Sequence, residues 1–98
     1  MKIKTIVILS LTLFTSFIAH AEPYGSHASD RWQIWAYSTA APSFIGNFAT
    51  IMGQNGKVLR EGSNGWTCTA TKPMPEKGFK TAHHAFALCA DAEGFKWA

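Results

Sequence analysis

The sequence predicts a small α+β domain with one disulfide, built from an N-terminal helix, a three-stranded antiparallel meander and a C-terminal helical turn. Trp32 and Trp35 lie at helical spacing, and two Asn-Gly pairs separate short β-prone runs. The chain has two cysteines, which can form a single bridge. A domain of this size is only marginally stable on its hydrophobic core alone, so a cross-link is expected.

The N-terminus has the regions of a secretory signal peptide. Lys2 and Lys4 precede an apolar run over residues 5–18, and Ala19-His20-Ala21 forms an A-x-A cleavage site. The apolar run is shorter than the roughly 20 residues that cross a bilayer. We therefore predict cleavage after Ala21, a mature chain that does not enter the membrane, and a periplasmic or secreted location.

Cleavage also changes the charge of the chain. The full sequence has nine Lys and Arg against six Asp and Glu, but two of the lysines lie in the signal peptide. The remaining excess of one basic residue is spread along the chain and forms no concentrated basic face. This excludes electrostatic binding to nucleic acid.

The two cysteines, Cys68 and Cys89, are predicted to form a structural disulfide. Their spacing is not the C-x-x-C of redox and metal sites, and an exported protein folds in an oxidising compartment. A bond between the two cysteines closes the loop of residues between them, which stabilises the fold by roughly 3 kcal/mol in the chain-entropy description.

Three segments follow from the composition: a signal peptide (1–21), a flexible leader (22–29) and a disulfide-linked domain (30–98). The leader is short and polar and contains Gly and Pro. Ser29 or Asp30 can cap a helix that ends before Pro42. Alternating residues from Trp32 onward also fit a strand, but the helical spacing is favoured.

The meander is predicted from Asn55-Gly56 and Asn64-Gly65, because type I′ hairpin turns need positive φ at both central residues. Two-residue loops would set Met52 opposite Leu59 and Leu59 opposite Ala70. One face would then be largely apolar, with Trp66 beside Cys68. A longer loop over "EGSNG" remains an alternative at the second turn.

The last third of the chain reads as a loop, a strand and a helical turn. Two prolines in "KPMPEKG" exclude a strand over residues 72–82, and "HAFALC" is predicted to be extended up to Cys89. Asp91 is the expected N-cap of the final helix, and Glu93 is favourable in its first turn.

The motifs "AAP", "ATIM", "LREGSNGWTC" and "CADAEGFKWA" resemble a family of uncharacterised exported bacterial proteins. The likeness covers residues 40–98 and is most specific over Gly62–Cys68. Members of that family continue beyond the position of Trp97, and they differ from this chain at "KTAHHAFAL". The resemblance implies export and a chain truncated at its C-terminus, and it implies no activity.

No catalytic, metal or cofactor site is predicted. His83 and His84 are adjacent and would point to opposite faces of an extended segment. Ser63 does not lie in a G-x-S-x-G elbow. Glu61 and Asp91 could approach each other through strand pairing and the disulfide, but such pairs are usually separate surface groups.

The eleven large aromatic rings of the mature chain are more informative. Most are expected in the core, and a possible contact surface consists of Trp32, Trp35, Phe95 and Trp97. We therefore predict a non-enzymatic protein that contacts another envelope or secreted protein, with self-association through exposed rings. The alternative is a truncated part of a hydrolase or metal-dependent enzyme.

The export and disulfide predictions can be checked by mass spectrometry of the protein from its producing cell. We expect the mass of residues 22–98 less two hydrogens, and a gain of two hydrogens after reduction. Free thiols in periplasmic material, or retention of residues 1–21, would contradict these predictions.

Overall fold

A mixed four-stranded sheet with one helix packed across a face makes up the fold. The computed structural model describes residues 21–96, and the side chains of residues 21–94. The helices are α1 (Asp30–Ser38), α2 (Ser43–Gly46) and α3 (Ala92–Lys96). The strands are β1 (Thr50–Met52), β2 (Val58–Arg60), β3 (Trp66–Thr69) and β4 (Leu88–Asp91), with 3-10 turns at Gln54–Gly56 and Ala82–Ala85.

Helix α1 begins where its sequence signals predict. Ser29 is the N-cap, and its hydroxyl accepts a hydrogen bond from the backbone N–H of Trp32 at 3.2 Å. Asp30 lies in the first turn, where a negative charge is favourable. Trp32 and Ala36 are buried on the face that meets the sheet.

The segment before α1, predicted to be a flexible leader, is attached to the domain. His27 forms a β-bridge with Gly78, and the Glu22 carboxylate accepts a hydrogen bond from the indole N–H of Trp32 at 3.0 Å. The predicted signal peptide lies outside the described residues except for Ala21. None of the helices in residues 21–96 has the length and apolar character needed to span a bilayer.

The strand order is β2-β1-β3-β4, so the predicted antiparallel meander is wrong in its topology. Strand β1 pairs antiparallel with β2 but parallel with β3, and β4 adds antiparallel to β3. The α+β class and the N-terminal helix are confirmed.

The first Asn-Gly pair forms the predicted turn, with φ of 61° at Asn55 and 73° at Gly56. The register differs by one residue, because Gly53 rather than Gln54 pairs with Lys57, its N–H donating to the Lys57 carbonyl at 2.8 Å. Met52 therefore lies opposite Val58 and not Leu59, and a bulge between Ile51 and Met52 restores the predicted register, with Ile51 opposite Arg60.

The second Asn-Gly pair does not form a hairpin, although Gly65 has a φ of 78°. The side chain of Asn64 instead donates to the Ile45 carbonyl at 2.9 Å and accepts from the Trp66 N–H at 3.1 Å. Ser63 N–H donates to the Phe48 carbonyl at 2.8 Å, which draws the segment across the start of β1. The longer loop over residues 61–65 thus places β3 on the other side of β1.

The disulfide forms as predicted, between residues that are direct partners in the β3–β4 ladder. Ile51 is the β1 partner of Cys68, so the three residues form one row across the sheet. This row faces α1, and both Ile51 and Cys68 are fully buried.

The core is completed by residues from the loop that precedes β4. Phe79 and Ala85 are buried with the side chains of α1. Gln33, a buried polar residue of this core, donates to the Ala28 carbonyl at 2.8 Å and accepts from the Tyr37 hydroxyl at 3.3 Å. Burial raises the pKa of that Tyr37 hydroxyl.

The predicted extended segment "HAFALC" is extended only from Leu88. His84 and Ala85 belong to the second 3-10 turn, and Phe86 adopts a left-handed φ of 46°. Asp91 caps α3 as predicted, because its carboxylate accepts from the Gly94 N–H at 2.9 Å.

We predict that Gly62→Ala destabilises the fold more than Gly65→Ala. A Cβ at Gly62 would collide with backbone atoms of Ala49 and Thr50, whereas a Cβ at Gly65 meets open space. We expect about 3 kcal/mol or more for Gly62→Ala, and about 1 to 2 kcal/mol for Gly65→Ala from its positive φ. Equal midpoints of urea unfolding for the two variants would contradict the path of residues 61–65 across the start of β1.

Alkaline pH should destabilise the protein partly through Tyr37. The pKa of the Tyr37 hydroxyl is raised in the fold. The stability that this protonated hydroxyl contributes is therefore complete below the unfolded pKa of about 10, and it is lost as the pH rises through the folded pKa. In urea unfolding from about pH 8 to 11, Tyr37→Phe should reduce the alkaline loss of stability. Tyr24→Phe, which removes an exposed hydroxyl, is the control.

Candidate functional site

The carboxylate pair considered from the sequence does not form. Glu61 follows β2 and Asp91 ends β4, and these strands are the two opposite edges of the sheet. Three strand spacings separate the edges by about 14 Å. A pair of carboxylates acting on one bond must lie closer than this, so the two residues do not make a glycosidase-type site.

The histidine and serine candidates are also separated. Nδ1 of His84 lies 2.7 Å from the Thr81 hydroxyl, and Ser63 lies in the loop that crosses β1. Within residues 21–94, no three His, Cys, Asp or Glu side chains are grouped so that they could hold a metal ion.

The predicted aromatic contact surface needs a correction at Trp32. This residue is 0% exposed, because the sheet covers one side of α1 and the ring of His27 stacks on the indole. Trp35 is half-buried, with its ring centroid 6.0 Å from that of Trp32. The Phe95 side chain and Trp97 lie outside the described residues.

The structure brings a different surface together at β4. This strand is the last in the sheet order, so its outer side pairs with no other strand in the described chain. Every second residue of an edge strand directs its N–H and C=O away from the sheet. We call the outer side of Leu88–Asp91 the β4 edge.

An apolar depression of about 650 Å³ lies beside the start of β4. Ala36 and Ala40 border it from the side of α1, and Phe86 and Ala87 border it from the chain that enters β4. Ala87 lies two residues before Cys89, and strand alternation turns both side chains towards α1. The depression and the β4 edge are therefore continuous.

Phe86 is held at the rim of this depression and is 64% exposed. Its carbonyl accepts from the Thr71 hydroxyl at 2.6 Å, and the Thr71 N–H donates to the Ala85 carbonyl at 3.1 Å. The ammonium group of Lys72 lies 5.5 Å from the Phe86 ring centroid. The two hydrogen bonds from Thr71 hold the backbone on either side of the left-handed Phe86. The Phe86 ring remains exposed to solvent beside Lys72.

The two edges of the sheet differ in charge. Strand β2 is preceded by Lys57 and ends at Arg60, and charged residues at an edge discourage pairing with another chain. Strand β4 presents Leu88, Cys89 and Ala90 before its acidic end at Asp91. Leu88 and Val58 are equally exposed at 44%, on the same face and at opposite edges.

Sequence reasoning missed this surface because "HAFALC" was predicted only to be extended, with no place assigned to it in the three-stranded sheet. The alternation of Phe86 and Leu88 around the small Ala87 was the available signal. Which edge stays free depends on the strand order, and the short-range pattern predicted the wrong order.

Comparison with models of known protein families found no match, and comparisons with curated proteins and with solved structures found no significant similarity. The Cys68–Cys89 disulfide is typical of an oxidising environment outside the cytoplasm.

Proposed function

We propose that this chain is an exported bacterial protein, periplasmic or secreted, that binds an extended segment of another exported protein and catalyses no reaction. The single observation that carries the proposal is the β4 edge, which carries no charge before Asp91, beside an apolar depression. The sequence resemblance to exported bacterial proteins is consistent with the location.

Strand addition is the binding mode that suits this surface. Backbone groups of an edge strand supply hydrogen bonds to any extended chain, and neighbouring pockets select its side chains. Here the depression bordered by Ala40 and Phe86 would receive one apolar side chain of the partner. Leu88 lies on the opposite face of the sheet. It would contact a second apolar side chain of the partner, at the neighbouring position of the bound strand.

The charges beside the edge favour one direction of the bound segment. Lys72 lies by Phe86 at the start of β4, and Asp91 lies at its end. A partner with an acidic residue near Lys72 and a basic residue near Asp91 is complementary to this arrangement. The expected ligand is therefore a short extended segment with two adjacent apolar residues, one for each face of the sheet, and a charge at each end.

Photo-crosslinking in the producing bacterium tests the proposal. We expect a photo-reactive phenylalanine analogue at position 88 to link to a segment of another exported protein, and the same analogue at position 58 not to do so. The two positions are matched, since both are 44% exposed, lie on the same face and differ in the edge.

Binding of the identified segment is then measured with a synthetic peptide. Leu88→Lys and Ala40→Glu should each weaken its affinity by about tenfold or more, and Val58→Lys should leave it unchanged. Equal crosslinking at both positions, or none at position 88, would overturn the proposal. Crosslinks only between two copies of this chain would assign the edge to self-association instead.

A further inference from the structure

We infer that Glu22, His27, Trp32 and the backbone of Phe79 form a pH-dependent lock that holds residues 22–28 against helix α1 while His27 is protonated. These four groups are named the His27 cluster. The inference is independent of the partner proposed for the β4 edge.

One nitrogen of His27 faces a group that can only accept a hydrogen bond. Nδ1 lies 2.7 Å from the carbonyl oxygen of Phe79, which is 52 residues away in the sequence. The carbonyl has no proton to donate, so Nδ1 must carry the hydrogen. This contact joins the N-terminal segment to the loop that precedes β4.

The other nitrogen faces a second acceptor. Nε2 of His27 lies 3.4 Å from Oε2 of Glu22. In a neutral ring with its hydrogen on Nδ1, Nε2 would point a lone pair at the carboxylate, which is repulsive. In the imidazolium both nitrogens donate, and the charge attracts the carboxylate.

The same carboxylate oxygen connects the imidazole to the core. Oε2 of Glu22 accepts from the indole N–H of Trp32 at 3.0 Å, and the His27 ring stacks on Trp32 at 4.3 Å with an interplanar angle of 13°. A cation over an indole face is favourable, so stacking also favours the protonated ring. Trp32 thus contacts both members of the ion pair.

The surrounding segments contribute few further charges to the cluster. On α1, Asp30 is paired with Lys57 at 3.7 Å and Arg31 is exposed, while the loop presents the Phe79 carbonyl. Lys80 follows that carbonyl in the sequence. If cleavage follows Ala21, the new α-amino group of Glu22 also lies near its carboxylate.

The direction of the pH effect follows from these contacts. Histidine changes its charge between about pH 5 and 8, so the lock is closed on the acid side and opens as the pH rises. Opening removes the Glu22 acceptor from the indole N–H and exposes the Trp32 ring. The His27 side chain is 31% exposed and the Glu22 side chain is 50% exposed, so water reaches both groups.

NMR of the indole N–H signals tests the lock in the mature protein. We expect the Trp32 signal to shift along one sigmoidal curve between about pH 5 and 8, in step with the ring protons of His27. In His27→Gln the curve should be absent, and any residual shift there reports the α-amino group. His84→Gln, which changes an exposed histidine outside the cluster, should keep the curve.

Two further variants separate charge from contact. Glu22→Gln keeps an acceptor for the indole but removes the carboxylate charge, so the Trp32 curve should become smaller. Gly78→Ala should hold the signal near its alkaline position at every pH, because a Cβ there collides with the backbone of His27 and Ala28. A flat Trp32 signal in the unmodified protein, or the same curve in His27→Gln, would overturn the inference.

Discussion

The disulfide between Cys68 and Cys89 is the contact on which the rest of the structure depends. It joins β3 and β4 at the row that faces α1, where Ile51 continues the row into β1. Trp32, Ala36 and Tyr37 of α1 are buried beside this row. Among residues 21–96, strand β4 pairs with β3 alone, so the covalent bond secures a strand with ladder hydrogen bonds on one side only.

The loop over residues 61–65 decides which strands remain at the edges. Because Gly62, Ser63 and Asn64 bind the start of β1 and the chain before it, β3 is delivered to the far side of β1. Strand β2 then stays at one edge, with basic residues beside it, and β4 occupies the other. The surface proposed for binding is therefore a consequence of this crossing.

The loop of residues 72–87 connects the two surfaces on which the proposals depend. Phe79 supplies the carbonyl that binds His27, and Ala82 and Phe86 border the depression beside β4. Buried Phe79 and Ala85 attach this loop to the core between those points. A change at the His27 cluster therefore acts on a segment that also borders the depression.

Local signals in the sequence determined a helix cap at Ser29 or Asp30, the turn at Asn55-Gly56, the cysteine pairing and the cap at Asp91. Each of these depends on backbone geometry or hydrogen bonds over a few residues, or, for the cysteines, on there being two of them. The parallel pairing of β1 with β3 depended on distant acceptors at Ile45 and Phe48, which no short pattern specifies. The burial of Trp32, the partners of His27 and the free edge at β4 were likewise decided by tertiary packing, because they join residues far apart in the chain.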